Sequence, residues 1–176
     1  MEDDLREKLV PLGEAQMAQL AAVCNRYPNL ELIVETKNEE LHAVTDTAGG
    51  RASVDFSITV RRDIIEADFS TREEYLEELS ILSLPVVAPY YPAEKQENWW
   101  VIVGHVQTNT LLSIKKITTL QQRASLTVDF NISLGEDLLK REKPDNQIKK
   151  VLELKVYLIC DSYVGCDLEK QVIVHF

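Results

Sequence analysis

A period of two in the apolar residues of four separate segments limits the folds open to this chain more than any other feature. An apolar residue occupies every second position in the segments 30–35, 54–60, 126–132 and 152–160. Strand side chains point alternately to two faces, so each segment is predicted to be a strand with one buried face and one solvent-exposed face. Further strand candidates are Val86–Tyr90, Trp99–Val106, Leu111–Ile117 and Gln171–Phe176. About seven short strands predict a mostly β fold, an immunoglobulin-like antiparallel β-sandwich.

Two short α-helices are predicted ahead of the strands. The second has apolar residues at helical spacing, begins after Gly13 as N-cap and ends before Pro28; its stripe is Met17, Leu20, Ala21 and Cys24. The first carries Leu5, Leu9 and Leu12. Two short helices cannot close a core alone. We therefore expect their stripe to pack on the rest of the chain or on material outside it.

Two longer connections interrupt the strands. The segment 62–82 is strongly acidic, and Ser70-Thr71-Arg72-Glu73 has the form of a capping box, which predicts a short helix at Thr71–Leu79. The segment 133–150 mixes charges around Pro144-Asp145-Asn146. It is predicted to be a mobile hairpin loop with a helical start.

Charge favours a protein partner over a nucleic acid. The net charge is −10 and the sequence pI is about 4.8, whereas nucleic-acid binders cluster Lys and Arg against phosphates. The basic patches are short: Lys115-Lys116 and Lys149-Lys150. The start of the chain is acidic, unlike a secretory signal, and no apolar run of about eighteen residues predicts a membrane span.

The cysteines and histidines predict no metal site. Cys24, Cys160 and Cys166 are odd in number and contain no CxxC pair, so reduced thiols with at least one in the core are expected. The three histidines are isolated and show no ligand spacing; they are His42, His105 and His175. No metal and no cofactor are predicted.

Catalytic motifs are missing from the sequence. The only Gly-Gly pair, Gly49-Gly50, lies outside any phosphate-binding pattern. Composition alone leaves a Ser/His/Asp arrangement open, but no histidine stands beside a nucleophile in a known motif. No catalytic residue is therefore predicted.

The residues Tyr90, Tyr91, Trp99 and Trp100 are the candidate partner contacts. The adjacent tryptophans must point to opposite faces of one strand, and Trp99–Val103 is apolar without alternation. Such a strand needs cover on both faces. One face belongs to the sandwich interior. The other is covered by the N-terminal helices, by the segment 62–82, or by another domain or protein. Core packing of the whole aromatic set remains the alternative.

Four sequence blocks, in order, resemble one protein family. They are Asn25-Arg26-Tyr27-Pro28-Asn29-Leu30-Glu31-Leu32, Trp99-Trp100-Val101-Ile102-Val103-Gly104, Leu112-Ser113-Ile114-Lys115-Lys116 and Cys160-Asp161-Ser162-Tyr163-Val164-Gly165-Cys166-Asp167. The chain resembles the end of the second helicase cassette of the large, Ski-like tandem-cassette spliceosomal RNA helicases. The resemblance implies that residues 1–29 end a helix-loop-helix. Residues 30–176 would form an immunoglobulin- or fibronectin-type-III-like sandwich with insertions at 62–82 and 133–150.

The resemblance implies a function without catalysis in this chain. The ATPase motifs would lie elsewhere in a nuclear parent protein, and the module would act as a scaffold and regulatory domain in pre-mRNA splicing. Its partners would be other domains of the parent helicase and splicing-factor proteins. The alternatives are an accessory domain that contacts RNA, the equivalent module of another tandem-cassette helicase such as that of the activating signal cointegrator complex, or a self-contained adaptor.

Overall fold

The computed structural model describes Leu9 and the ranges 11–36, 51–64, 68–118, 120–133, 140–142 and 149–175. Two helices and eight strands are defined in these ranges. They are α1 (Glu14–Asn25), β1 (Leu30–Thr36), β2 (Arg51–Arg62), α2 (Arg72–Ile81), β3 (Trp99–His105), β4 (Thr110–Ile117), β5 (Arg123–Ser133), β6 (Lys140–Glu142), β7 (Lys149–Cys160) and β8 (Leu168–His175).

The strands form two antiparallel sheets. One sheet has the order β1-β2-β5, and the other has the order β4-β3-β7, with β6 and β8 also paired to β7. All four alternating segments are strands, and the predicted β-sandwich is confirmed. The long connection with α2 links β2 in the first sheet to β3 in the second.

The core lies between the sheets and is built from the inward half of each alternating strand. Phe56 and Phe130 pack edge to face, with ring centroids 5.8 Å apart. Around them lie fully buried aliphatic residues of both sheets, among them Ile58, Val60, Val103, Val128, Leu152, Leu154 and Leu158. Each contributes about 1.5–3 kcal/mol when withdrawn from water. Cys166 is buried beside this core, as the sequence predicted for at least one thiol.

The 62–82 connection contains the predicted helix, with a one-residue shift in its cap. The N-cap of α2 is Thr71, whose hydroxyl accepts the amide hydrogen of Glu74 at 3.2 Å, while the carboxylate of Glu74 accepts the amide hydrogen of Ser70. The capping pair is therefore Thr71–Glu74, and the predicted pair Ser70–Glu73 was wrong. Tyr75 is the buried residue of α2 and packs on Phe69.

The predicted strand at Val86–Tyr90 is wrong. Only Val86 forms a bridge, with Lys95, and Tyr90 lies in a turn. Pro85 and Pro89 explain the difference, because proline has no amide hydrogen to donate to a ladder. Of the predicted 133–150 loop, the structure describes β6 and the residues at either end, and the rest lies outside the described residues. Most of the first predicted helix also lies outside them, with Leu9 helical.

No residue of helix α1 is buried. Its stripe therefore does not pack into the core formed by the described residues. The helix is attached at its C-terminal end, where a guanidinium nitrogen of Arg26 donates to the carbonyl of Pro85 at 2.7 Å and the hydroxyl of Tyr27 donates to the carbonyl of Val164. No helix within the described residues is long and apolar enough to cross a bilayer.

Candidate functional site

The tandem tryptophans occupy opposite faces of β3. Trp99 is 0% exposed and lies in the core, whereas Trp100 is half-buried on the outer face of the sheet. Successive strand residues alternate in this way, so the interior residues of β3 are Trp99, Val101 and Val103. The outward tryptophan is Trp100, and a contact through Trp99 would require the core to open.

A buried ion pair holds Trp99 in place. Its indole Nε1 donates to the carboxylate of Glu97 at 2.7 Å, and the same carboxylate accepts a hydrogen bond from the guanidinium of Arg62. Arg62 also donates to the carbonyls of Gln121 at 3.0 Å and Leu120 at 3.3 Å. The last residue of β2, the residues before β3 and the connection before β5 are thereby joined at one end of the sandwich.

Trp100 begins an apolar strip across the outer face of the larger sheet. Strand pairing places Trp100 beside Ile159 of β7, and Ile102 between Tyr157 of β7 and Ile114 of β4. The register shift between Val103 and Gly104 brings Leu111 onto the same face. We use the name apolar strip for these outward residues: Trp100, Ile102, Leu111, Ile114, Tyr157 and Ile159.

The apolar strip is open to solvent within the described part of the chain. Ile114 is 49% exposed and Leu111 is 59% exposed. Neither α1 nor α2 packs across this face as far as the structure describes it. Cover by the first predicted helix stays a prediction, because most of that helix lies outside the described residues. Contiguous exposed apolar residues rimmed by charge are typical of interaction sites.

Lysines border the apolar strip. The amine of Lys116 lies 5.4 Å from the centre of the Trp100 ring, a cation–π distance. On the opposite side, Lys155 lies 6.0 Å from the centre of the Tyr157 ring and forms an ion pair with Glu169 at 3.2 Å. The face therefore combines aromatic rings, aliphatic side chains and cations.

Tyr90 and Tyr91 lie near one end of the outer face. Tyr90 is 100% exposed. Tyr91 lies under the amine of Lys95, at 5.4 Å from its ring centre, and Lys95 forms an ion pair with Asp161 at 3.1 Å. Asp161 directly follows β7, whose residue Ile159 pairs with Trp100. The predicted contact role of all four aromatic residues stays a prediction.

Asp161 is the best-connected carboxylate of this region. Burial alone would raise its pKa, but hydrogen bonds from Ser162, Lys95 and Asn98 outweigh burial, and the pKa is lowered. The carboxylate accepts the amide hydrogen of Asn98 at 3.2 Å. Asp161 is therefore a structural residue that stays ionised and holds Asn98, the residue directly before β3, in position.

The residues Asp161–Asp167 form the turn between β7 and β8. Gly165 has a φ of +84°, in the left-handed region that glycine tolerates best. A Cβ atom at Gly165 would lie 3.4 Å from the hydroxyl oxygen of Tyr27, and the Tyr27 and Tyr163 rings meet edge to face at 5.6 Å. The segment that follows the C-terminal end of α1 packs against this turn through Tyr27.

The described residues offer little for catalysis. They contain no group of three or more His, Cys, Asp or Glu side chains placed to hold a metal ion. A cavity of about 240 Å³ is lined by residues that include Leu82, Gln96, Thr118 and Glu97. Glu97 is already held by Arg62 and Trp99, so the cavity has no free acid–base pair among its described lining residues.

His105 is a buried structural residue at the end of β3. It is 2% exposed, and its Nδ1 accepts the amide hydrogen of Thr108 at 3.3 Å. Its Nε2 has no hydrogen-bond partner among the described residues. Burial lowers the pKa of His105, and Glu153 acts in the opposite direction.

Sequence reasoning missed four members of the apolar strip: Leu111, Ile114, Tyr157 and Ile159. Tyr157 lies on the outward side of an alternating strand, where polar residues were expected. A large ring at such a position is the signal that could have found it. Leu111 and Ile114 gave no signal, because the register shift in β4 changes which of its residues face outward.

The sequence matches the Sec63 Brl domain family over residues 9–173. The chain belongs to the Sec63 Brl domain family. Among its relatives, the DExH-box ATP-dependent RNA helicase DExH13 of Arabidopsis thaliana is 34% identical over 169 residues, or 96% of this chain. The U5 small nuclear ribonucleoprotein 200 kDa helicase of Homo sapiens is 32% identical over the same share.

The Sec63 Brl chain spans about 6% of the length of these relatives. A protein named activating signal cointegrator 1 complex subunit 3-like, of Dictyostelium discoideum, is 31% identical over 173 residues, 98% of this chain and 6% of its own length. The predicted resemblance to large RNA helicases is confirmed, and the chain is a helicase-associated module.

Proposed function

We propose that this Sec63 Brl chain is a non-catalytic C-terminal module of a large spliceosomal RNA helicase. It acts as a protein-interaction scaffold and regulatory domain in pre-mRNA splicing. Its relatives named as U5 small nuclear ribonucleoprotein 200 kDa helicases support the setting. The single observation that carries the interaction role is the apolar strip, an outward sheet face that begins at Trp100 and is not covered by another described helix or strand.

The proposal assigns binding to this module and ATP hydrolysis to other parts of a nuclear parent protein. Residues 1–29 end a helix-loop-helix and residues 30–176 form the sandwich, with insertions at 62–82 and 133–150. The motor that hydrolyses ATP belongs to other parts of the parent, whose second cassette carries this module. The partners are neighbouring domains of that helicase and splicing-factor proteins.

Physical chemistry favours protein over RNA on this surface. A strip of exposed aliphatic and aromatic side chains gains free energy when another apolar surface removes it from water, at about 25 cal/mol per Å². Aromatic residues and a depletion of charge are typical of the centres of protein interfaces. The net charge of −10 opposes approach of a polyanion.

A capture experiment with matched variants tests the proposal. The immobilised 176-residue chain is incubated with nuclear extract, and spliceosomal proteins are quantified by mass spectrometry with and without ribonuclease. We expect Trp100→Ala to lose most of the captured splicing proteins. Leu76→Ala, which removes an exposed apolar side chain from α2, should retain them.

The controls separate folding from binding. Trp100→Ala must keep its near-ultraviolet circular dichroism and its midpoint of thermal unfolding within a few degrees. Equal capture by wild type and Trp100→Ala would refute the role of the apolar strip. Capture abolished by ribonuclease, together with salt-dependent binding of single-stranded RNA, would support the accessory RNA-contacting domain instead.

A further inference from the structure

The apolar strip reaches the edge of its sheet, and no described strand pairs with the outer side of that edge. We propose that the partner contributes an extended acidic segment that pairs with β4 as an additional strand and covers the apolar strip. This inference rests on the proposed function and specifies the chemistry of the partner. It commits to a peptide segment of another protein, bound through its backbone as well as through its side chains.

The backbone of β4 is available for pairing. Among the described strands β4 pairs with β3 alone and ends the order of its sheet. An edge strand presents a row of amide hydrogens and carbonyl oxygens, which an extended peptide can extend into a ladder. With eight residues, β4 offers a ladder of about 27 Å at the usual rise of about 3.4 Å per residue.

Exposure along the apolar strip increases toward that edge. Ile102 of β3 is half-buried in the middle of the sheet, whereas Ile114 and Leu111 of β4 are 49% and 59% exposed. In a sheet, side chains on neighbouring strands pack against one another on the same face. A strand added beyond β4 would place its outward side chains against Ile114 and Leu111, where cover is most incomplete.

The charge at this edge selects an acidic segment. Lys115 and Lys116 are both exposed on β4, and neither forms an ion pair with another residue in the described ranges. On the far side of the strip, Lys155 is already paired with Glu169. In a chain with a net charge of −10, two positive charges without a counter-charge among the described residues thus lie on this edge strand. Carboxylates of a partner strand would neutralise them.

A simpler role for the lysines is protection of the edge. Native sheets use lysine on edge strands to prevent self-association. A lysine that only repels other copies has no need to contact the sheet face. The amine of Lys116 instead lies over the ring of Trp100, which ties the charge of the edge to the apolar strip. The experiment below distinguishes the two roles.

Defined peptides test the inference on the full 176-residue chain. The probe is a capped eight-residue peptide of alternating Glu and Val. One control alternates Lys and Val, and a second is the Glu–Val peptide N-methylated at every second residue, which removes amide hydrogens on one edge. Affinity is read from tryptophan fluorescence, and the site from backbone amide exchange by NMR.

The acidic peptide should bind with new protection of amides in Thr110–Ile117. N-methylation should weaken binding at least tenfold, because the ladder cannot form. Lys115→Ala with Lys116→Ala should weaken it about threefold, because Lys115 lies on the face of the glutamates and contributes one exposed ion pair, and added salt should weaken wild type in the same way. Leu111→Ala, which leaves both lysines in place, should also lower affinity.

Several results would overturn the inference. Equal binding of the N-methylated peptide would exclude strand addition, and equal binding of the lysine peptide would exclude charge selection. A lysine double variant that self-associates but keeps its peptide affinity would assign the lysines to edge protection. Absence of peptide binding, with Trp100→Ala still losing splicing proteins in extract, would end this inference and leave the proposed function standing.

Discussion

Replacement of Glu97 by alanine tests how much the buried Arg62–Glu97 ion pair stabilises the folded sandwich. Its carboxylate binds Arg62, whose side chain is 3% exposed against 11% for Glu97 itself, and it accepts the indole hydrogen of Trp99. Removal of Glu97 leaves the guanidinium of Arg62 without its counter-charge in a site closed to water. The remaining carbonyl acceptors of Arg62 carry only partial charge.

The expected cost is about 3–5 kcal/mol, the range for a buried ion pair that loses one partner. The neighbouring residue supplies a matched control. Arg61 pairs with Glu31, also an Arg–Glu bridge between β2 and a nearby segment, but its side chains are 58% and 53% exposed. Exposed pairs contribute about 0–1 kcal/mol. Glu31→Ala should therefore lower the free energy of unfolding by less than about 1 kcal/mol.

Urea denaturation, followed by tryptophan fluorescence, measures both variants against wild type. Trp99 is buried and bonded to Glu97, so its emission reports the same site that the substitution changes. Glu97→Gln keeps an acceptor for Trp99 and removes the charge, and it should fall between wild type and Glu97→Ala. A difference of less than about 1 kcal/mol between Glu97→Ala and Glu31→Ala would refute the reasoning.

Three further predictions concern the turn, the histidine and the thiols. Gly165→Ala should cost about 1–2 kcal/mol in a thermal melt, because φ is +84° and the new methyl group lies against Tyr27. Burial lowers the pKa of His105, so below the ordinary value of 6.5 the unfolded chain takes up a proton that the folded chain resists. Stability should decrease as pH falls through that value and level off below the folded-state pKa, and His105→Leu should flatten this part of the profile measured by denaturation at several pH values. Burial raises the pKa of Cys166 to about 12, so iodoacetamide should alkylate exposed Cys24 in the native protein and Cys166 only after unfolding, as read by peptide mass spectrometry.

Strand positions were predictable where one face of a strand is buried and the other is wet. In β2, β5 and β7 the period of two follows directly from burial of alternate side chains, and the structure extends each predicted segment by a few residues. The prediction failed at Val86–Tyr90, where apolar residues occur between prolines. Apolar composition does not supply the amide hydrogens that a ladder needs.

The candidate site was predictable only in part. Adjacency forces Trp99 and Trp100 onto opposite faces, but the sequence did not show which one faces outward, since both faces of β3 are apolar. Strand pairing and side-chain contacts show which tryptophan faces outward. Trp99 lies between the sheets, where it contacts Glu97, and Trp100 lies on the outer face beside Ile159 and Lys116. Arg62 and Glu97 are separated by 35 positions, and no local pattern connects them.

By itself, the sequence determined the class of this protein: a β-sandwich built from alternating strands, preceded by a helical segment, with four ordered blocks of a helicase-associated family. These properties follow from local periodicity and from residue identity, which act over a few neighbouring positions. The tertiary structure alone decided the surface. The apolar strip joins residues of β3, β4 and β7, and its extent depends on strand register and on the shift between Val103 and Gly104. Register is a relation between distant segments, and it is fixed only when both sheets close over a common core.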